Sequence, residues 1–162
     1  VLGAGGNGFE AITFVPDPKH PHGGWFLVAQ QNFRLNDADE PSAVFRIELP
    51  LQAGKDEDAG PKIVDMFEPG VIDLAGLHYD ADRRRLYLLS GHTRRLYEMN
   101  VRGGVYAVHT HLPDNSVEGV TVDPDGRIYL TFDAGGAIRG HWDVLKQKDD
   151  AIKVESDEQH EK

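Results

Sequence analysis

The stretch that decides the fold runs from residue 74 to residue 100 and reads LAGLHYDADRRRLYLLSGHTRRLYEMN. It contains three short apolar runs, at 74–79, 85–90 and 95–100, and polar turn residues separate them. Short runs of this kind, rich in aromatic and branched residues and bounded by turns, predict β-strands. A fourth run at 104–111 follows, so we expect a unit of four strands.

The same unit recurs on both sides of this stretch. The run at 74–79 aligns with FEAITF at 9–14 and with VEGVTV at 117–122, and each is followed by a turn rich in Asp or Pro and then by further apolar runs. The pair Asp125-Gly126 predicts a hairpin, because Gly tolerates the positive φ that such a turn requires. The spacing between the second and third units matches the roughly 40–45 residues of a β-propeller blade.

We therefore predict an all-β fold, a partial β-propeller with about three four-stranded blades. The blades occupy residues 1–145, and residues 146–162 form a charged tail or a short edge strand. An antiparallel sandwich is the alternative, but the recurring order of strands and Asp turns favours the propeller. Three blades cannot close a ring of four to eight. We favour further blades upstream, with self-association of two chains as the other explanation.

Composition narrows the classes of partner. The chain has 162 residues, with 27 acidic and 17 basic side chains and a net charge of −10, which argues against nucleic-acid binding. The absence of Cys excludes disulfides and thiol nucleophiles. No apolar run is long enough for a membrane span. We expect a small-molecule ligand or a protein partner at the mouth of the propeller channel.

Three acidic residues stand at the entries of the predicted inner strands. Glu10 and Glu118 occupy equivalent places in two units, and Asp73 lies just before the equivalent place in the third. Carboxylates gathered in a narrow channel repel one another, so either some bind a proton or a cation compensates them. Oxygen ligands in a chain without Cys favour Ca²⁺. The alternative is that these acids only cap loops.

The ends of the second strands lie on the same predicted face. They supply the candidate ligand-binding residues, which are Gln31, Asn32, Ser90, His92, Arg94 and Asp133. His92 is the best candidate for a general acid or base, with an ordinary loop histidine as the alternative. The sequence contains neither a nucleophile elbow nor a phosphate-binding loop.

Several segments resemble the SdiA-regulated family of bacterial six-bladed-propeller-like proteins. These are residues 73–80, 86–90 and 94–98, the segments 117–123 and 126–130 that resemble the last blade of the family, and residues 7–12, which resemble its GFEG segment. The resemblance covers about residues 7–140. The same phrases occur in the esterase-like phytase family and in other calcium-dependent propellers.

The resemblance implies a propeller in the periplasm or cell envelope that holds calcium at the channel mouth through Glu10, Asp73 and Glu118. Two functions follow. The first, which we favour, is a binding protein with a calcium-supported ligand site. The second is a calcium-dependent phytase-like or esterase-like hydrolase, in which the cation orients an attacking water. Ala11 replaces a family glycine, and Thr131-Phe132-Asp133 replaces the usual Ser-Glu, which argues against inherited catalysis.

Overall fold

A computed structural model describes residues 8–31, 41–50, 60–110, 112 and 117–132. Within these residues the chain forms ten strands and no helix. The strands are β1 (Phe9–Pro16), β2 (Gly24–Gln30), β3 (Ala43–Glu48), β4 (Lys62–Phe67), β5 (Leu74–Asp80), β6 (Arg85–Ser90), β7 (Arg95–Met99), β8 (Val105–His109), β9 (Val117–Val122) and β10 (Ile128–Phe132).

The strands form three antiparallel sheets in the order of the sequence. The first sheet has the order β1-β2-β3-β4, the second β5-β6-β7-β8, and the third contains β9 and β10. The predicted all-β class is therefore confirmed, and the arrangement is consistent with a partial β-propeller. The predicted tail at 146–162 lies outside the described residues.

The second sheet is buried on both faces. Leu86 and Leu88 belong to the core that packs on the first sheet, whereas Tyr87 and Leu89 belong to the core that packs on the third. This alternation follows from the two-residue period of a strand. The middle sheet of the chain thus lies between two others, as a blade does, whereas each sheet of a two-sheet sandwich faces solvent on one side.

The three sheets approach one another most closely at their inner strands, β1, β5 and β9. A Cβ on Gly76 would lie only 3.1 Å from the Val120 nitrogen and 3.2 Å from the Gly119 Cα. The backbones of β5 and β9 therefore approach each other closely, and a side chain at position 76 would require its neighbours to move by a few tenths of an ångström.

At the end of the sheets where β1, β5 and β9 finish, turns join neighbouring sheets. Gly126 has φ 84° and its N–H bonds to the Asp123 carbonyl at 2.9 Å, which confirms the predicted hairpin between β9 and β10. Arg83, in the turn after β5, pairs with Asp80 at 2.6 Å and donates to the Pro124 carbonyl at 2.9 Å. Arg83 thus links the second sheet to the third.

Candidate functional site

Each inner strand has a β-bulge at its second residue, at the end of the sheets where β1, β5 and β9 begin. We call this the mouth end. The bulges follow from a shift in the register, because the residues on either side of each bulge face adjacent residues of the neighbouring strand. Each inner strand therefore contains one extra residue, and these residues are Glu10, Ala75 and Glu118. Bulges re-aim side chains and are frequent beside active sites. Glu10 and Glu118 therefore occupy equivalent positions, and both are exposed.

Asp73 joins the first sheet to the second at this end. It has φ 57°, a left-handed conformation that Asp tolerates better than most residues. Its carbonyl accepts a hydrogen bond from Gly91 N at 3.0 Å, and its carboxylate accepts one from the Gln31 side-chain amide. A Cβ on Gly91 would lie 2.9 Å from Asp73 Oδ2. The Asp73 carboxylate thus lies between the end of β2 and the turn that follows β6.

Gln31 brings an amide oxygen to the same place. Its backbone N–H donates to the Gly8 carbonyl at 3.1 Å, and its side-chain N–H donates to Asp73. Its Oε1 is buried and has no hydrogen-bond partner among the described residues. A buried acceptor without a partner costs about 1–3 kcal/mol, which a cation or a ligand donor at this point would offset. Amide and carboxylate oxygens are ligands that Ca²⁺ prefers.

Two buried serines hold the segment that enters β5. Ser42 donates its backbone N–H to the Val71 carbonyl at 2.7 Å, and its hydroxyl donates to the Gln31 carbonyl and accepts from Leu74 N at 3.2 Å. The Ser90 hydroxyl donates to the Ile72 carbonyl at 2.8 Å and accepts from the Thr93 hydroxyl at 2.7 Å. Both serines are fully buried, so Ser90 acts here by positioning Asp73 and its neighbours.

The other predicted site residues are more dispersed. Glu10 accepts a hydrogen bond from Gly8 N at 3.2 Å, and His92 and Arg94 are exposed in the turn after β6. No group of three or more His, Asp or Glu that could hold a metal ion occurs in the described part of the chain, so the three predicted carboxylates do not form one there. Asn32 and Asp133 lie outside the described residues.

One histidine that lies further along β5 has an altered proton affinity. Burial lowers the pKa of His78, and the nearby Asp80 carboxylate opposes this effect without cancelling it. Its Nδ1 lies 3.4 Å from the Thr121 hydroxyl of the third sheet. Burial therefore favours the neutral form of His78, which lies between the second and third sheets.

A cavity of about 130 Å³ lies between the first two sheets, at the end opposite the mouth end. Trp25, Arg46 and Arg102 line it, and the Arg46 guanidinium stacks 3.9 Å from the Trp25 ring centroid. Trp25 Nε1 and Arg46 Nε are buried, and neither has a hydrogen-bond partner in the part of the chain that the structure describes. No local sequence pattern identifies this cavity, because it depends on the turn after β7 reaching the first sheet.

Taken together, the radially packed sheets, the repeated bulges and the polar mouth end define a protein of the β-propeller class. The chain belongs to the SdiA-regulated family, whose sequence model matches residues 6–133, and this confirms the family expected from the motifs. No curated protein matches the chain. Within the described residues, no helix is long and apolar enough to cross a membrane.

Proposed function

We propose that this chain is a binding protein whose ligand site lies at the mouth end and is supported by Ca²⁺. The observation that carries the proposal is the pairing of Gln31 with Asp73. The Gln31 amide oxygen is buried and has no hydrogen-bond partner among the described residues, and it lies next to the Asp73 carboxylate. The backbone of Asp73 is in the left-handed conformation. Both groups offer oxygen atoms of the type that Ca²⁺ takes from proteins.

The bulges support the same location. Glu10 and Glu118 are exposed at equivalent positions of the first and third inner strands, so further carboxylates are available at the mouth end. His92 and Arg94 extend from the adjacent turn, where they are accessible to a ligand. A periplasmic or envelope location accompanies this proposal. Extracellular calcium modules bind Ca²⁺ with dissociation constants of roughly 10⁻⁴–10⁻³ M, and a site in such a location would need no tighter binding.

The test is the thermal stability of the chain in EDTA and in millimolar CaCl₂. Binding to the folded state alone stabilises by roughly 2.7 kcal/mol at a concentration of 100 Kd, so the melting temperature rises with added Ca²⁺. Asp73→Asn removes a charged ligand and reduces that rise, and Glu118→Gln tests whether the bulge carboxylate contributes. Asp82→Asn is the matched control, because Asp82 is an exposed carboxylate in the turn between β5 and β6, at the opposite end.

Identical melting curves in EDTA and CaCl₂ would overturn the calcium site. A rise that Asp82→Asn reduces as much as Asp73→Asn would mean that Ca²⁺ binds diffusely to an acidic surface. Hydrolysis of phytate or of an aryl ester that EDTA abolishes would replace the binding function with the hydrolase function, because the cation would then assist attack by water.

A further inference from the structure

The cavity between the first two sheets has two buried N–H donors in its wall. These are Trp25 Nε1 and Arg46 Nε, and neither has a hydrogen-bond partner among the described residues. A buried donor without an acceptor is unfavourable, and such groups in folded proteins usually mark the place of a water, an ion or a ligand. The group that complements these two donors is a hydrogen-bond acceptor.

The orientation of Arg46 favours a planar acceptor. Strand β3 places Arg46 beside Leu27 of β2, and the guanidinium stacks 3.9 Å from the centroid of the Trp25 ring. This stack fixes the plane of the guanidinium, and its N–H donors lie in that plane. A guanidinium held in this way suits a carboxylate, which accepts two parallel N–H bonds from arginine.

The turn after β7 brings a second arginine, Arg102, to the cavity. Asn100 shapes this turn, because its Oδ1 accepts hydrogen bonds from Arg102 N at 2.8 Å and from Gly104 N at 3.1 Å. Gly103 has φ 91° and lies against Phe67 of β4, where a Cβ would be only 2.9 Å from a ring carbon. The turn is therefore held against the first sheet, and Arg102 is positioned before any ligand binds.

The charge and the size of the cavity restrict the acceptor further. Its charged lining residues are Arg46, Arg102 and Asp65, the cross-strand neighbour of Arg46, so the lining has a single net positive charge. A monoanion neutralises this charge, whereas a dianion such as sulfate adds an uncompensated negative charge. A volume of about 130 Å³ accommodates several water molecules but lies below the roughly 300–1,000 Å³ of a site for a drug-sized ligand.

We propose that this cavity binds a short aliphatic monocarboxylate. Trp25 Nε1 and Arg46 donate hydrogen bonds to the carboxylate, and Arg102 supplies the second positive charge. The alkyl chain packs on the apolar lining residues Leu27 and Phe67. This site lies at the opposite end of the sheets from the proposed calcium site and does not depend on it.

The test is the fluorescence of Trp25 in a titration with sodium butanoate at constant ionic strength. The chain has two Trp residues, so Trp142→Phe makes Trp25 the sole indole in the protein. We expect a saturable change with a Kd on the order of 1 mM, as suits a ligand of few atoms. Acetate should bind more weakly, by about fourfold for each methylene group lost, and sulfate should bind more weakly than butanoate.

Arg102→Gln should raise the Kd for butanoate about tenfold, because it removes a charge-assisted hydrogen bond. Arg102 is exposed, so this variant should keep the β-structure seen by circular dichroism. Arg95→Gln is the matched control and should leave the Kd unchanged, because Arg95 is an exposed arginine at the mouth end. Butanoate should also raise the melting temperature of the chain that retains both Trp residues, in EDTA as well as in CaCl₂.

A melting temperature and a Trp25 fluorescence that butanoate leaves unchanged overturn the proposal. Sulfate binding as tight as butanoate binding also overturns it, since charge alone would then hold the anion. If Arg95→Gln weakens binding as much as Arg102→Gln does, the anion is not bound in this cavity. If EDTA abolishes butanoate binding, the ligand belongs to the calcium site at the mouth end.

Discussion

Removal of the Ser42 hydroxyl is the sharpest test of how the mouth end is held together. The side chain is fully buried, and it satisfies both the Gln31 carbonyl and the Leu74 N–H. Ser42→Ala leaves two buried backbone groups without their partners, at about 1–3 kcal/mol each. We expect a loss of about 2–4 kcal/mol in the free energy of unfolding. With a typical urea m-value, the midpoint falls by about 1–2 M.

Urea unfolding followed by circular dichroism measures this loss. Asp82→Ala, in an exposed turn, is the surface control and changes stability by no more than about 0.5 kcal/mol. A Ser42→Ala variant that loses less than about 0.5 kcal/mol with an unchanged m-value would refute the reasoning, because the two backbone groups would then have other partners. The calcium-induced rise in melting temperature should shrink in the same variant, since Ser42 fixes the carbonyl of Gln31.

Three further outcomes follow from the packing and the titratable groups. Leu88→Ala, at a fully buried position between the first two sheets, should cost about 3–5 kcal/mol in urea unfolding, whereas Val64→Ala, at a 44% exposed position, should cost almost nothing. Burial raises the pKa of Asp80, but hydrogen bonds from Arg83 outweigh it and hold that pKa below the usual value. Its contribution to stability is therefore present above the ordinary Asp range and is lost as the pH falls through the folded value, so Asp80→Asn should flatten acid unfolding. Because burial lowers the pKa of His78, the unfolded state binds this proton more readily than the folded state does. The free energy of unfolding therefore decreases as the pH falls below about 6.5, the ordinary value for His. We expect the melting temperatures at about pH 7 and pH 5.5 to differ less in His78→Gln than in the native chain. If either Asp80→Asn or His78→Gln keeps the pH dependence of the native chain, the effect attributed to that residue is contradicted.

Local patterns in the sequence predicted the strands well. The runs around Leu77, Leu88 and Tyr97 alternate with turn residues. The length and composition of these runs, together with the turn residues between them, identify four strands per unit. The repeat also placed Glu10 and Glu118 at equivalent positions, and the bulge at each confirms that equivalence. These features depend on residues close in the chain, which is why a sequence pattern carries them.

The contacts that build the candidate site could not be predicted in the same way. The hydrogen bond from Gln31 to Asp73 joins residues in different sheets, and it depends on the left-handed backbone at Asp73, for which Gly or Asn is the more usual signal. Ser42 gave no signal at all, because a serine before a strand is common and its burial follows from the packing of the two sheets. The sequence grouped Glu10, Asp73 and Glu118 by position along the strands, which says nothing about distances across the axis.

The contact at Gly76 also governs the geometry of any complete ring. Because the backbones of β5 and β9 approach closely there, the second and third sheets are closest at their inner edges, while large side chains such as Tyr87 fill the space further out. This taper sets the angle between successive sheets, and that angle determines how many of them fit into one turn. A bulkier residue at position 76 would spread the inner edges, reduce the angle and favour a wider circle with more members.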